Sequence, residues 1–366
     1  MSHPTIQKAL ELGQSIWLDF ISRDLMNFGK LKQLVESGLR GETSNPSIFE
    51  KSISKSADYD PDIHEGHAKH WTAPQIFEHL AVRDVTRACD AFRGVYDSSG
   101  GTDGFVSIEV SPGLAHDTDA TIEEARRLWK SMNRPNLMVK IPGTDEGIPA
   151  IAAMLAEGLN INITLLFSQR QYHATVNAWL TALEERVKKG QDVSRIASVA
   201  SFFVSRVDSA GDKQLEAKGR KDLMGKAAIA NACLAYKYFL EMTESSRWKA
   251  LQKAGAHVQR PLWASTSTKN PAYSDILYVT ELVAKDTVNT LPLETIEAWM
   301  DHGKPEPKLL ENLKSAEATL KQVHDAGVDV VQITEDLIED GVIKFSDSFN
   351  QLMAAIEKKV HAEAAK

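Results

Sequence analysis

The stretch LMVKIPGTDEGIPAIAAMLAEGLNINITLLF, residues 137–167, decides the fold class. LMVKIP (137–142) and NINITLLF (160–167) are near-continuous apolar runs of strand length. GTDEGIPAIAAMLAEG between them has the period of a helix and ends on Gly158. A strand, a helix and a second strand of this character describe a parallel unit covered on both faces. The same order repeats in both directions along the chain. Further runs are IWLDF (16–20), LRGETS (39–44), GFVSIEV (104–110), IASVASFFV (196–204), RPLWAS (260–265) and DTVNTL (286–291), which makes eight. Eight alternating units favour a closed (β/α)8 TIM barrel over an open sheet, so the class is α/β.

Spacing between the runs is uneven, with extra material at 50–75 and 211–255 that reads as insertions rather than repeats. TIEEARRLWKSM (121–132) predicts an amphipathic helix capped by Thr121, with Glu123 and Glu124 in its first turn. From Pro292 onward the pattern is helical, in LLENLKSAEATLKQVHDAG (309–327) and FSDSFNQLMAAIEKKVHAEAAK (345–366). The expected organisation is a barrel catalytic domain over 1–292 and a C-terminal helical extension over 293–366, packed on the barrel.

A chain of 366 residues, 43% hydrophobic and 25% charged, can bury a large core. Acidic residues outnumber basic ones by 50 to 42, which excludes the strongly basic field of a general nucleic-acid binder. The N-terminus lacks a charged segment followed by an apolar run, and no stretch approaches the roughly 18 apolar residues of a membrane span. The expectation is a cytoplasmic protein without membrane or nucleic-acid partners. Cys89 and Cys233 stand in unrelated contexts and read as core thiols.

Charged side chains interrupt these apolar runs at or near their C-terminal ends: Lys140 in LMVKIP, Asp19 in IWLDF and Glu109 in VSIEV. Any one alone has an ordinary reading as a buried ion pair. Several together point to a shared polar cavity, because burying unpaired charges costs several kcal/mol each, and barrel strands converge at their C-terminal ends on one mouth. Desolvation disfavours an ammonium, so Lys140 is the candidate nucleophile for a carbonyl. Asp19 and Glu109 are the candidate proton acceptor and donor, in an order left open. Alternation places Asn160, Asn162 and Thr164 on one strand face and Ile161, Ile163 and Leu165 on the other. Ser201 lies on the sixth run, and Arg206 lies just beyond it, within reach of an anion at the mouth. Asn45 before Pro46 is a turn signal, and the loop after the seventh run holds Ser265, Thr266, Ser267, Thr268 and Lys269, donors suited to phosphate.

WLDF, TSNPSIF, VSIEVSP, MVKIPGT, NITLLFS, SFFVSRVD and WASTSTKN, in this order across residues 10 to 292, closely resemble the transaldolase family. These are class I aldolases with an (α/β)8 barrel that move a dihydroxyacetone unit between sugar phosphates. The resemblance implies that Lys140 forms the Schiff base with the ketose C2 carbonyl and that Asp19 takes the C4 hydroxyl proton. Glu109 and Thr164 would hold the water used in proton transfers, while Asn45, Asn162 and Ser201 would orient the donor hydroxyls. Arg206, Ser265 and Lys269 would bind phosphate. Phe203 resembles the family's apolar residue beside the imine, where the related fructose 6-phosphate aldolases carry tyrosine. The protonated imine serves as electron sink, so no cofactor is implied. Two features depart from the commoner pattern: Lys269 stands where many members have arginine, and the loop is longer. The C-terminal part resembles a longer bacterial branch in which such a region can be joined to a phosphoglucose isomerase.

DYDPDIHEGHAKH (58–70) invites a metal reading through Asp58, Asp60, Asp62, His64, His67 and His70. Pro61 interrupts a calcium loop, Ile63 replaces the turn glycine, and the histidines lack the HExxH spacing, which leaves a solvated helical face. The competing functions are a metal-dependent class II aldolase and a non-catalytic sugar-phosphate-binding barrel.

Overall fold

All eight apolar runs form strands in the computed structural model, which describes residues 2–364. They are β1 Gln14–Leu18, β2 Gly41–Thr43, β3 Phe105–Glu109, β4 Leu137–Pro142, β5 Ile161–Leu166, β6 Ser198–Phe203, β7 Arg260–Ala264 and β8 Thr287–Leu291. Each pairs in parallel with its neighbour in chain order, and β8 returns to β1, closing the barrel. Register sets Glu109 opposite Lys140, Lys140 opposite Asn162, and Pro142 opposite Thr164. Val139, Ile141, Ile161 and Ile163 take the alternate positions and are fully buried, with helices Gly147–Glu157 and Gln169–Lys188 packed on this part of the sheet. Burying each such side chain contributes about 1.5–3 kcal/mol. At the N-terminal end Asp103 accepts from Ser15 and from Trp17 Nε1 (2.9 Å) and pairs with Arg260 (3.3 Å) and Arg40 (3.4 Å). A Cβ on Gly41 would stand 2.6 Å from the Trp17 ring, so only glycine lets that indole fill the barrel floor.

Local chemistry moves several boundaries. The helix expected to start at Thr121 spans Thr118–Met132, because the Asp117 carboxylate accepts from Ala120 N at 3.0 Å and caps an earlier turn. Thr121 instead lies buried within it and donates to Leu114 O (2.9 Å). The extra material is helical: Pro46–Lys55, Asp60–Ala68 and the start of Ala73–Ser98 in the first segment, and the rest of Ser205–Ala217, then Ala227–Glu244 and Ser246–Lys253, in the second. After Leu293–His302 and Leu309–Asp325, one long helix runs Val330–Ala364. It begins well before Phe345, since Asp329 accepts from Gln332 N (3.1 Å) and caps it there. This helix packs on Pro46–Lys55 and Ser205–Ala217.

The segment around DPDIHEGHA is helical, with His67 and His70 exposed. The solvated face expected there holds only in part, because Asp62 is buried and pairs with Arg23 (2.7 Å) and Arg83 (2.5 Å). Arg23, itself buried, also holds Asp84 at 2.9 Å; a desolvated guanidinium drew the carboxylate inward. Among the described residues no cluster of His, Cys, Asp or Glu is arranged to hold a metal ion. Cys89 and Cys233 are buried and unbonded to each other.

Glu42 lies on β2 between Gly41 and Thr43, which face the barrel interior, and is buried with neither oxygen hydrogen-bonded among the described residues. Burial, and secondarily the Asp84 charge, hold its carboxyl well above the ordinary 4.5. The folded state therefore keeps a proton that the unfolded chain releases, so stability is fullest below about 4.5 and falls as pH rises. Glu42→Gln removes this dependence. Urea midpoints from about pH 5 to about pH 8 should show the variant gaining on the parent as pH increases, and parallel curves would refute the buried neutral acid.

Candidate active site

The C-terminal ends of the strands converge as the sequence suggested, and Lys140 stands at the centre, 4% exposed. Its Nζ lies 3.4 Å from Glu109 Oε2 on β3 and donates to Ser44 O at 3.3 Å. Neither Glu109 oxygen accepts a hydrogen bond among the described residues. Burial pushes its carboxyl up to about 7, with Lys140 the main opposing influence. A group of that proton affinity can give or take a proton near neutrality. Thr164 Oγ1, on β5, is likewise buried without a partner, and such orphaned polar atoms suit an interposed water.

Asp19 follows the end of β1 and is half-buried. Its Oδ1 accepts from Thr43 Oγ1 (2.7 Å), which lies 2.7 Å from Thr290 Oγ1. Burial raises the Asp19 carboxyl, opposed first by Lys140 and then by the Thr43 hydrogen bond. Sequence reasoning missed Thr43 and Thr290, although the two-residue step from Gly41 already put Thr43 on the inner face.

Asn45 caps helix Pro46–Lys55, its Oδ1 accepting from Ile48 N at 3.0 Å, so the turn signal and the site coincide. Asn162 donates to Ser107 Oγ (3.0 Å) and accepts from Ser201 Oγ (2.7 Å). Asn160, on the same expected row, braces the far end by donating to Pro135 O and Leu137 O, each at 2.9 Å. Alternation fails at Leu165. Its φ of 57° and a break in the β5–β6 register turn it toward Gly341 of helix Val330–Ala364, instead of onto the face of Ile161 and Ile163.

Phe203 ends β6, and Arg206 sits in the first turn of Ser205–Ala217, its guanidinium carbon 5.3 Å from the Phe203 ring and 5.9 Å from that of Phe345. Arg206 Nη1 is buried without a hydrogen-bond partner among the described residues, and burial shifts the group downward. Ser265, at φ 53°, places its Oγ 3.0 Å from Ser205 Oγ, while Lys269 Nζ donates to Ser267 Oγ (2.9 Å). Tyr273 and Tyr278 donate to Asp212 (2.7 Å) and Asp208 (2.9 Å), tying the Lys269 loop to the Arg206 helix.

Asp19, Asn45, Lys140, Ser201, Phe203, Arg206, Ser265 and Lys269 line one cavity of about 400 Å³, to which Thr43, Lys51, Thr290, Glu294 and Phe345 also contribute. Glu109, Thr164 and Asn162 are not among its lining residues. Glu109 borders a second, larger cavity of about 620 Å³ whose wall carries Phe49, Trp71, Phe77 and Phe349 but no lysine. The first brings together an amine, a carboxyl in its wall with another behind the amine, and an arginine with a buried nitrogen that has no hydrogen-bond partner among the described residues.

Residues 16–356 match the family model described as Transaldolase/Fructose-6-phosphate aldolase. The chain is similar to the Transaldolase of Trichodesmium erythraeum, at 45% identity over 363 residues, which cover 95% of this chain and 96% of that one. It is 46% identical to Transaldolase 2 of a Nostoc species (96% of each chain) and 47% identical to the Transaldolase of Acidothermus cellulolyticus (95% of each).

Replacing Lys140 by Met removes the ammonium that opposes the burial of Glu109. The Glu109 titration should then move upward from about 7, read as the pH dependence of its carboxyl infrared band. An unmoved midpoint would show that the pair is not electrostatically linked.

Proposed function

We infer the mechanism from one premise: the chain belongs to the transaldolase/fructose-6-phosphate aldolase family. It is an enzyme, a transferase with the transaldolase activity of the pentose phosphate pathway, and its substrates are sugar phosphates. In the mechanism we propose, Lys140 passes a proton to Glu109 and its free amine Nζ attacks C2 of a ketose phosphate such as fructose 6-phosphate or sedoheptulose 7-phosphate. Glu109 returns that proton to the carbinolamine hydroxyl, which leaves as water and gives the protonated imine. Asp19 then takes the C4 hydroxyl proton, the C3–C4 bond breaks, and its electron pair enters the imine to form the enamine. After the first aldose departs, enamine C3 attacks the acceptor aldehyde and Asp19 gives the proton back. Water held by Glu109 and Thr164 hydrolyses the new imine. Asn45, Ser201 and, through Ser201, Asn162 orient donor hydroxyls, while Arg206, Ser265 and Lys269 bind phosphate.

The observation that carries this reading is the placement of Lys140 Nζ, buried and 3.4 Å from a carboxyl shifted to about 7, at a cavity that also holds Asp19 and Arg206, whose Nη1 has no hydrogen-bond partner among the described residues. Phe203 presents a ring where a hydroxyl would activate water, which favours transfer over release. The catalytic unit is taken as residues 1–292, with 293–366 an extension that contributes to its mouth through Phe345. Among the described residues no helix is long and apolar enough to cross a membrane, and a cytoplasmic site of action accords with phosphorylated sugars.

Incubation with fructose 6-phosphate followed by borohydride should leave a stable adduct on Lys140, and activity should survive EDTA. Equal labelling of Lys140→Ala would overturn the nucleophile; chelator-sensitive turnover without an adduct would favour a metal-dependent aldolase, and binding without turnover a sugar-phosphate sensor. Asp19→Ala should retain imine formation yet lose cleavage by about 10²–10⁴-fold. Phe203→Tyr should raise the ratio of free dihydroxyacetone released to dihydroxyacetone transferred; an unchanged ratio contradicts the role given to that ring.

A further inference from the structure

Arg206 is held in an uncommon way. Among the described residues its guanidinium donates no hydrogen bond and pairs with no carboxylate, and Nη1 is buried. Asp340 on helix Val330–Ala364, whose charge acts on the guanidinium, is itself engaged by Lys344 at 2.5 Å. What the guanidinium does have is two aromatic neighbours: Phe203 from the barrel strand and Phe345 from the C-terminal helix, both at most 6% exposed. A carboxylate partner would fix the arginine but would occupy its donors and cancel its charge. Aromatic faces attract the cation without taking up its N–H groups as hydrogen-bond donors, which leaves the guanidinium charge and its cavity-facing donors for a phosphate.

We propose that Phe345 is a positioning residue for phosphate recognition, holding the Arg206 guanidinium over the cavity together with Phe203. The C-terminal helix thereby supplies a working part of the substrate site. Phe345 is itself held in place. Gly341, one turn earlier, packs against Leu165 so closely that a Cβ would come to 2.9 Å, and Ser348 Oγ lies 2.7 Å from Ser47 Oγ in the first turn of helix Pro46–Lys55. At the ends of the helix, Glu335 pairs with Arg170 (2.8 Å) and Lys359 with Asp60 (2.6 Å). This inference rests on the reading of Arg206 as a phosphate ligand, and it adds the means by which that ligand is aimed.

The test compares Phe345→Leu, which keeps apolar volume but lacks a π face, with Phe345→Tyr, which keeps the ring. With Phe345→Leu, KM for fructose 6-phosphate and the inhibition constant of inorganic phosphate should both rise about tenfold, the scale of a desolvated cation–π contact. The effect should fall on KM more than on kcat. The ratio of kcat/KM for fructose 6-phosphate to that for unphosphorylated fructose should fall by a similar factor, and Phe345→Tyr should restore it. An inhibition constant for phosphate that stays at the parental value in Phe345→Leu overturns the proposal, as does an equal loss on fructose. Failure of the tyrosine variant to restore the ratio overturns it too. Arg206→Ala keeps the two claims apart: if it leaves KM and phosphate inhibition unchanged, the phosphate-ligand reading fails. If it raises both while Phe345→Leu raises neither, only the positioning role fails.

Discussion

The buried pair of Lys140 and Glu109, 3.4 Å apart on adjacent strands, is the constraint from which the rest of the structure follows. Isolated, either charge in that interior would cost several kcal/mol. Together they are tolerable only because the strands bring them into register and Ser44 offers its carbonyl to the amine. A protein that keeps such a pair must surround it with rigid, well-packed strands, and the closed barrel does that without leaving a sheet edge. The compensation is incomplete, since burial still holds Glu109 near 7. That residual imbalance gives the site a proton exchangeable at neutral pH.

Three polar arrangements at the mouth repeat one device at different strengths. Asp19 is steadied by a chain of two threonine hydroxyls, Asn162 by two serines, and Arg206 by two phenyl rings. The first two use hydrogen bonds, which fix direction and also consume bonding capacity. The third spends none, so among the described residues the guanidinium keeps its donors without hydrogen-bond partners.

Much of this was legible from residue order. Strands covered on both faces are apolar along their length, so all eight appeared as runs, and Lys140, Asp19 and Glu109 stood out as interruptions of them. The departures have physical causes. Asp117 won over Thr121 as a cap because its carboxylate reaches an amide one turn earlier. Asp62 turned inward because a buried Arg23 required it. Leu165 broke alternation through a bulge that period-two reasoning cannot foresee. Phe345 carried no signal at all: in an amphipathic helix every apolar residue reads as core, and only the path of that helix across the mouth turns one of them toward a cavity. The bond between Lys269 and Ser267 likewise depends on a loop conformation that composition does not reveal.

The helix Val330–Ala364 meets the β5 bulge through Gly341, the guanidinium through Phe345 and the first turn of helix Pro46–Lys55 through Ser348. These contacts lie on one continuous rod, and at 1.5 Å per residue the outer two are only about 10 Å apart. A rod so short cannot bend between them. The positive-φ backbone beside Thr164, the Arg206 guanidinium and the first turn of the helix that Asn45 caps are therefore spaced by one stretch of helix rather than by the loops that join the strands.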